Sequence, residues 1–156
     1  MKVEYINPFI ESVVEVFGTM LETDVARGDV GVSRSGSSNP RDIMALIGLS
    51  GPARGTVALS FPTATALALV RKLLGMETAV VDDTVSDGVA EIVNMVAGSA
   101  KAKLTSGGGP PIDLSLPTVV RGRNFEVEYP TKSVWLEVAF QSSLGDFSLR
   151  VTFEKI

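Results

Sequence analysis

One stretch constrains this chain more than any other: SDGVAEIVNMVAGSAKAKL, residues 86–104. At about 100° per residue, Val85, Val89, Ile92, Val93, Val96, Ala100 and Leu104 fall on one broad apolar stripe. A helix with such a stripe must bury it against another layer of structure. Acidic residues stand at its start, Lys101 and Lys103 near its end and Gly107 to Gly109 beyond, an arrangement that suits the helix macrodipole. The spacing predicts a helix from about Asp83 to Leu104.

The remaining elements follow from the same kind of reading. Residues 7–21 predict a second amphipathic helix, with Pro8 in its first turn and Asn7 as its cap. Pro62 precedes a third, over 63–74, which Gly75 stops. Strands are expected at 42–50, apolar on both faces, and at 55–61, where Val57, Leu59 and Phe61 alternate, with Gly51-Pro52 as the turn between them. Further strands are expected at 115–121, 124–129, 133–140 and 147–154, the last with Phe147, Leu149, Val151 and Phe153 on one face. Residues 24–40, rich in Gly, Ser and Asp and ending in Asn39-Pro40, read as a long surface connection with a short edge strand near Val30 and Val32. Helices and strands come in blocks, without strict βαβ alternation. The expected fold is therefore α+β, an antiparallel sheet with long amphipathic helices packed on it. A chain of 156 residues fills one such domain, 1–156, and is short for two.

An internal repeat appears when the first helix is slid over the long one by about 80 positions. Phe9 meets Val89, Val13 meets Val93, Val16 meets Val96 and Met20 meets Ala100, all at places expected to face the core. On the other side Glu11 meets Glu91 and Gly18 meets Gly98, but Val14 stands where the long helix has Asn94. GTVALSF (55–61) and GDFSLRV (145–151) echo one another more loosely, which points to a duplicated αββ unit.

Composition closes off several function classes. The chain has no Cys and no His, which removes disulfides, thiolate or imidazole zinc sites, thiol nucleophiles and histidine bases. Its net charge of −4, without a run of Lys or Arg, argues against nucleic acid and against a basic membrane-binding face. No apolar run reaches the roughly 18 residues a bilayer span needs, and MKVEYINPF lacks a signal-peptide layout, so a soluble cytoplasmic protein is expected. Any chemistry must come from carboxylates, amides, hydroxyls, Lys or Arg.

The polar side of the long helix offers such groups. Asp87, Glu91, Asn94, Gly98 and Lys101 project opposite the apolar stripe, and Glu91 and Asn94 are neighbours one turn apart. A solvated face is the ordinary explanation for such residues. Two details depart from it. Asn is a mediocre residue in mid-helix, and the pair is flanked by Ala90, Gly98, Ser99 and Ala102, where a merely soluble helix favours Lys, Glu or Gln. Gly98 costs the helix about 1 kcal/mol relative to Ala. A strip of small residues beside two polar groups suits close approach by another chain. Met95 and Lys101 are placed by their angular position at the margin of that surface. Asp87 shares the face, but its place in the first turn is also that of an ordinary dipole-compensating residue, the favoured of its two readings. Trp135 reads either as an interface anchor or as a partly buried core residue.

The pattern Asp87-x-x-x-Glu91-x-x-Asn94, with Pro117 downstream, resembles the signature of the CheC/CheX/FliY group of chemotaxis phosphatases. INPFIESVVEVFGTML (6–21) and IGLSGPARGTVALSFP (47–62) look like the corresponding segments of its CheX members, so the likeness covers nearly the whole chain. It implies a pseudo-duplicated fold and a phosphatase acting on the aspartyl phosphate of a CheY-like response regulator. Asn94 would then orient the attacking water, and Glu91 would dock to the receiver's active-site Lys. It further implies no cofactor of its own, since Mg²⁺ is held by the receiver, and a homodimer, an expectation to which the two-faced apolar strand 42–50 adds. CheC-like relatives carry Glu-x-x-Asn on both duplicated helices, whereas here the first helix reads Glu11-Ser-Val-Val14. One site per chain is expected, without a role for Glu11. The competing expectation is a non-catalytic module that binds receivers or serves a flagellar switch.

Overall fold

The computed structural model describes residues 3–33, 42–51, 54–106, 108, 111–122 and 134–154. A 3₁₀ turn over Val3–Ile6 leads into α1 (Asn7–Met20). There follow β1 (Val25–Ser33), β2 (Ile43–Ser50), β3 (Arg54–Phe61), α2 (Thr63–Leu74), α3 (Asp83–Ser106), β4 (Asp113–Leu114), β5 (Thr118–Arg121), β6 (Trp135–Ser142) and β7 (Phe147–Glu154). The strands form one seven-stranded sheet, ordered β1-β6-β7-β3-β2-β4, with β5 also on β2. All of its pairings are antiparallel, as the block arrangement of elements predicts.

All three helices cover one face of this sheet. The buried residues of α1, α2 and α3 share a single core with Ile43, Ala45, Ile47 and Leu49 of β2, Val57, Leu59 and Phe61 of β3, and the matching alternate residues of β6 and β7. Phe147 lies at its centre, stacked on Phe17 of α1 at 4.6 Å and on Phe140 at 5.1 Å between ring centroids. α2 begins after Pro62, and its Thr63 N–H donates to Asp42 Oδ2 at 2.9 Å, a cap supplied by the neighbouring strand. Gly75 ends it in the left-handed conformation, φ 65°, as expected.

The duplication is visible in the sheet. Leu59 and Leu149, matched in the repeat, lie opposite each other in the β3–β7 ladder. The pair β2–β3 lies on one side of them and β6–β7 on the other, while α1 and α3 pack together on the sheet's covered face. Phe9, Val13 and Val16 are buried like their α3 counterparts, but Met20 is 48% exposed. α1 ends there, and Leu21, fully buried just beyond the helix, takes the core position instead.

Other expectations need correction. Asn7 does not cap α1: the helix starts at Asn7 itself, Ile6 occupies the cap position in helical conformation, and no side chain caps it, because the 3₁₀ turn runs straight on. The edge strand is nine residues long, not a short piece near Val30. Its ladder with β6 shifts register between Arg27 and Val30, and this irregularity absorbs Gly28 and Asp29, which disfavour a regular strand. Of the strand expected at 115–121 only β5, Thr118–Arg121, forms; it starts after Pro117, which has no N–H for the ladder, and the two-residue β4 lies before the expected range. The last strand agrees to the residue, the expected 133–140 begins at Trp135 and runs on to Ser142, and residues 34–40, 52–53 and 124–129 lie outside the described ones.

The sheet face away from the helices is small and polar in places yet covered. Ser60, Ser148, Thr152 and Arg150 are all buried. The Arg150 guanidinium sits 4.8 Å over the Trp135 ring, and its Nε is 3.4 Å from Glu137 Oε2. Trp135, 4% exposed, is thus a buried partner of Arg150 and not an exposed anchor. Met44, on this same face of β2, is also buried, so one chain already accounts for much of the burial that the strand's apolar faces demand.

Candidate active site

α3 is 24 residues long and fixed at both ends. At its start the Val85 N–H donates to Asp82 Oδ1 at 3.2 Å, which satisfies one of the first-turn donors. Arg121 Nη2 of β5 reaches Asp83 Oδ1 at 3.6 Å. Toward its end Lys103 Nζ donates to both carboxylate oxygens of Glu15 on α1, at 2.8 and 2.9 Å, and Ser99 Oγ donates to the same carboxylate at 3.4 Å. Val85, Val89, Ile92, Val93, Val96 and Ala100 are fully buried, so rotation of the helix about its axis is set by packing, with Leu104 half-buried. The outward face is therefore rigidly presented.

Glu91 and Asn94 are both exposed on that face, one turn apart, with Asp87 and Gly98 exposed above and below them. Met95 and Lys101 are half-buried at its margin. A Cβ at Gly98 would meet nothing within 4 Å, so the fold itself does not require glycine there. That differs from Gly88, where a Cβ would lie 2.8 Å from Val70 Cγ2 and the close crossing of α2 and α3 demands the small residue. On α1, Glu11 and Val14 are exposed at the matching places, and the amide is missing.

Chemically, the face offers a carboxylate acceptor and an amide that both donates and accepts. Among the described residues, no group of three or more acidic side chains is placed to hold a metal ion. No helix is long and apolar enough to cross a membrane. The sequence reading missed a groove of about 390 Å³ beside the pair, lined by Leu73, Leu74, Thr84, Asp87, Gly88 and Glu91. The sequence carried no signal for it: Leu74 continues the helical spacing of Leu67 and Val70 and reads as a core residue, yet it is 44% exposed at the end of α2.

Residues 43–141 match the family described as chemotaxis phosphatase CheX. The CheY-P phosphatase CheX of Thermotoga maritima is 30% identical over 129 residues, 82% of each chain. A CheC-like superfamily protein from Shewanella sp. PV-4 superposes with a TM-score of 0.90 at 30% identity, covering 99% of both chains. The CheX of Vibrio vulnificus superposes with a TM-score of 0.88 at 28% identity, covering 97% of this chain and all of its own. With the family match spanning more than half its length and the fold shared nearly end to end, the chain belongs to the CheX family of chemotaxis phosphatases.

Proposed function

We propose that this protein dephosphorylates the aspartyl phosphate of a CheY-like response regulator, with Asn94 and Glu91 as the working pair. The observation that carries the reading is the rigid outward presentation of Glu91 and Asn94 one turn apart, beside open space at Gly98. Family membership and the 30% identical CheY-P phosphatase support the substrate class.

An acyl phosphate is already activated, and the receiver brings Mg²⁺ and a Lys to the phosphoryl oxygens. What remains is to place a water in line with phosphorus, and positioning governs most of the barrier in phosphoryl transfer. Asn94 accepts a hydrogen bond from that water and holds it without acting as a base. The water oxygen bonds to phosphorus as the bond from phosphorus to the aspartyl oxygen breaks. Inorganic phosphate leaves carrying one water proton, the other passes to solvent, and the receiver's carboxylate is restored. Glu91 pairs with the receiver's Lys and keeps α3 in register over the phosphate. Asp87, Met95, Gly98 and Lys101 border the docked surface. A receiver substrate also supports a cytoplasmic location.

The test is the decay of a phosphorylated CheY-type receiver from the same organism, with and without catalytic amounts of the protein. Faster release of phosphate supports the reading. Tight binding with unchanged decay would instead make the protein a receiver-capturing module.

A further inference from the structure

A groove lies between the end of α2 and the start of α3. Leu74, the last residue of α2, is 44% exposed in it although polar residues are free to stand at such a place. Gly88 brings α2 against α3 at Val70 and leaves the groove open above the crossing. Leu73 and Leu74 line one side, while Asp87 and Glu91 add two exposed carboxylates from α3.

We propose that this groove is a specificity subsite, which seats an apolar side chain that the phosphorylated receiver carries next to the lysine held by Glu91. The inference rests on the phosphatase reading above and deepens it. Two observations select this occupant. Glu91 belongs both to the groove and to the working pair, so a partner bound to one lies over the other. Thr84 and Gly88 precede Asn94 by ten and six residues, or roughly 9 to 15 Å along a helix, well inside the footprint of about 800 Å² that a docked protein covers. The charge is also complementary: a leucine wall beside two carboxylates fits an apolar side chain flanked by a basic one, and disfavours an acidic segment. Asn94 and Glu91 can serve any receiver, because every receiver offers the same phosphoaspartate and Lys. Discrimination has to come from neighbouring contacts, and a few side chains seated in well-packed, desolvated pockets supply most of the binding energy at such interfaces.

The test is steady-state dephosphorylation of a CheY-type receiver from the same organism, charged with acetyl phosphate and Mg²⁺, using Leu74→Asp, Leu74→Met and Thr84→Trp. Both altered positions are exposed, so folding is checked by circular dichroism and expected to hold. Leu74→Asp, which replaces the anchor by a charge, and Thr84→Trp, which fills the groove, should each raise KM about tenfold or more while kcat stays within about twofold. Leu74→Met, which keeps an apolar side chain of similar volume at the anchor position, should bring KM back to within about threefold of the unaltered value. Unchanged KM in both Leu74→Asp and Thr84→Trp, or a fall in kcat without a change in KM, overturns the subsite. Two controls separate the readings: no acceleration of decay by the unaltered protein overturns the phosphatase reading itself, and full turnover in Asn94→Ala overturns the role of that amide, whereas normal turnover by the unaltered protein with unchanged KM in the groove variants overturns the groove alone.

Discussion

Val14 of α1 and Asn94 of α3 stand at matching places on two packed helices, both facing solvent, and only one of them is an amide. The same comparison puts Glu11 beside Val14 and Glu91 beside Asn94. The duplicated fold thus keeps two similar faces, and only one of them carries the amide.

This asymmetry sets the first expectation. Glu91→Ala should lower kcat/KM for the phosphorylated receiver by about 30-fold or more, the usual cost of removing one partner of a buried interfacial charge pair. Glu11→Ala should leave it within about twofold, because no amide accompanies that carboxylate. Parallel steady-state assays of the two variants check this, and equal losses would restore a second site.

Two helical glycines should respond in opposite ways. Gly88→Ala drives a methyl group to 2.8 Å from Val70 Cγ2, and overpacking of a stiff β-branched neighbour should destabilise the fold by about 1–3 kcal/mol, less the better helix propensity of Ala. Gly98→Ala meets no atom within 4 Å and should stabilise by about 0.5–1 kcal/mol. Urea unfolding distinguishes them. Gly98→Gln, which fills the open space, should fold normally and lose receiver affinity if a partner approaches closely there.

Phe147 joins α1 to the sheet through stacked contacts with Phe17 and Phe140, and lies 5.4 Å from Phe61. Phe147→Ala should cost about 3–5 kcal/mol, since the cavity is enclosed by aromatic rings that cannot all collapse into it. The midpoint of denaturant unfolding measures it. A change below about 1 kcal/mol would mean that α1 is not anchored through this cluster.

On the far face of the sheet, Glu137 lies 3.4 Å from the buried Arg150 guanidinium, which is itself only 2% exposed. Glu137→Ala removes that carboxylate from a buried charge and should destabilise by about 3–5 kcal/mol. Receiver dephosphorylation at a temperature where the variant stays folded should be unaffected, because this pair lies on the sheet face opposite the helices.

Much of this was legible in advance because the period of the apolar pattern differs so clearly between elements. The stripe Val85 to Ala100 fixed both the existence of α3 and the orientation of Glu91 and Asn94, and the alternation of Phe147 to Phe153 fixed β7 to the residue. What the pattern could not supply depended on neighbours distant in sequence. β1 contains Gly28, Asp29 and Gly31, poor strand formers, and is held by its ladder with β6. Met20 has the spacing of a core residue but lies where the helix stops. Arg150 looked like the polar side of a strand until Glu137 and Trp135 were brought next to it. The groove needed the meeting of α2 and α3, which no local period encodes.

The central claim is that Asn94 positions the attacking water, and its most direct test is single-turnover decay of a phosphorylated CheY-type receiver saturated with either the unaltered protein or Asn94→Ala. Asn94 is exposed, so the variant should fold and bind as before. The account predicts a fall in the catalysed rate constant of about 100-fold, the scale on which loss of a positioning group acts. A bound Asn94→Ala variant that accelerates decay as fast as the unaltered protein would contradict it.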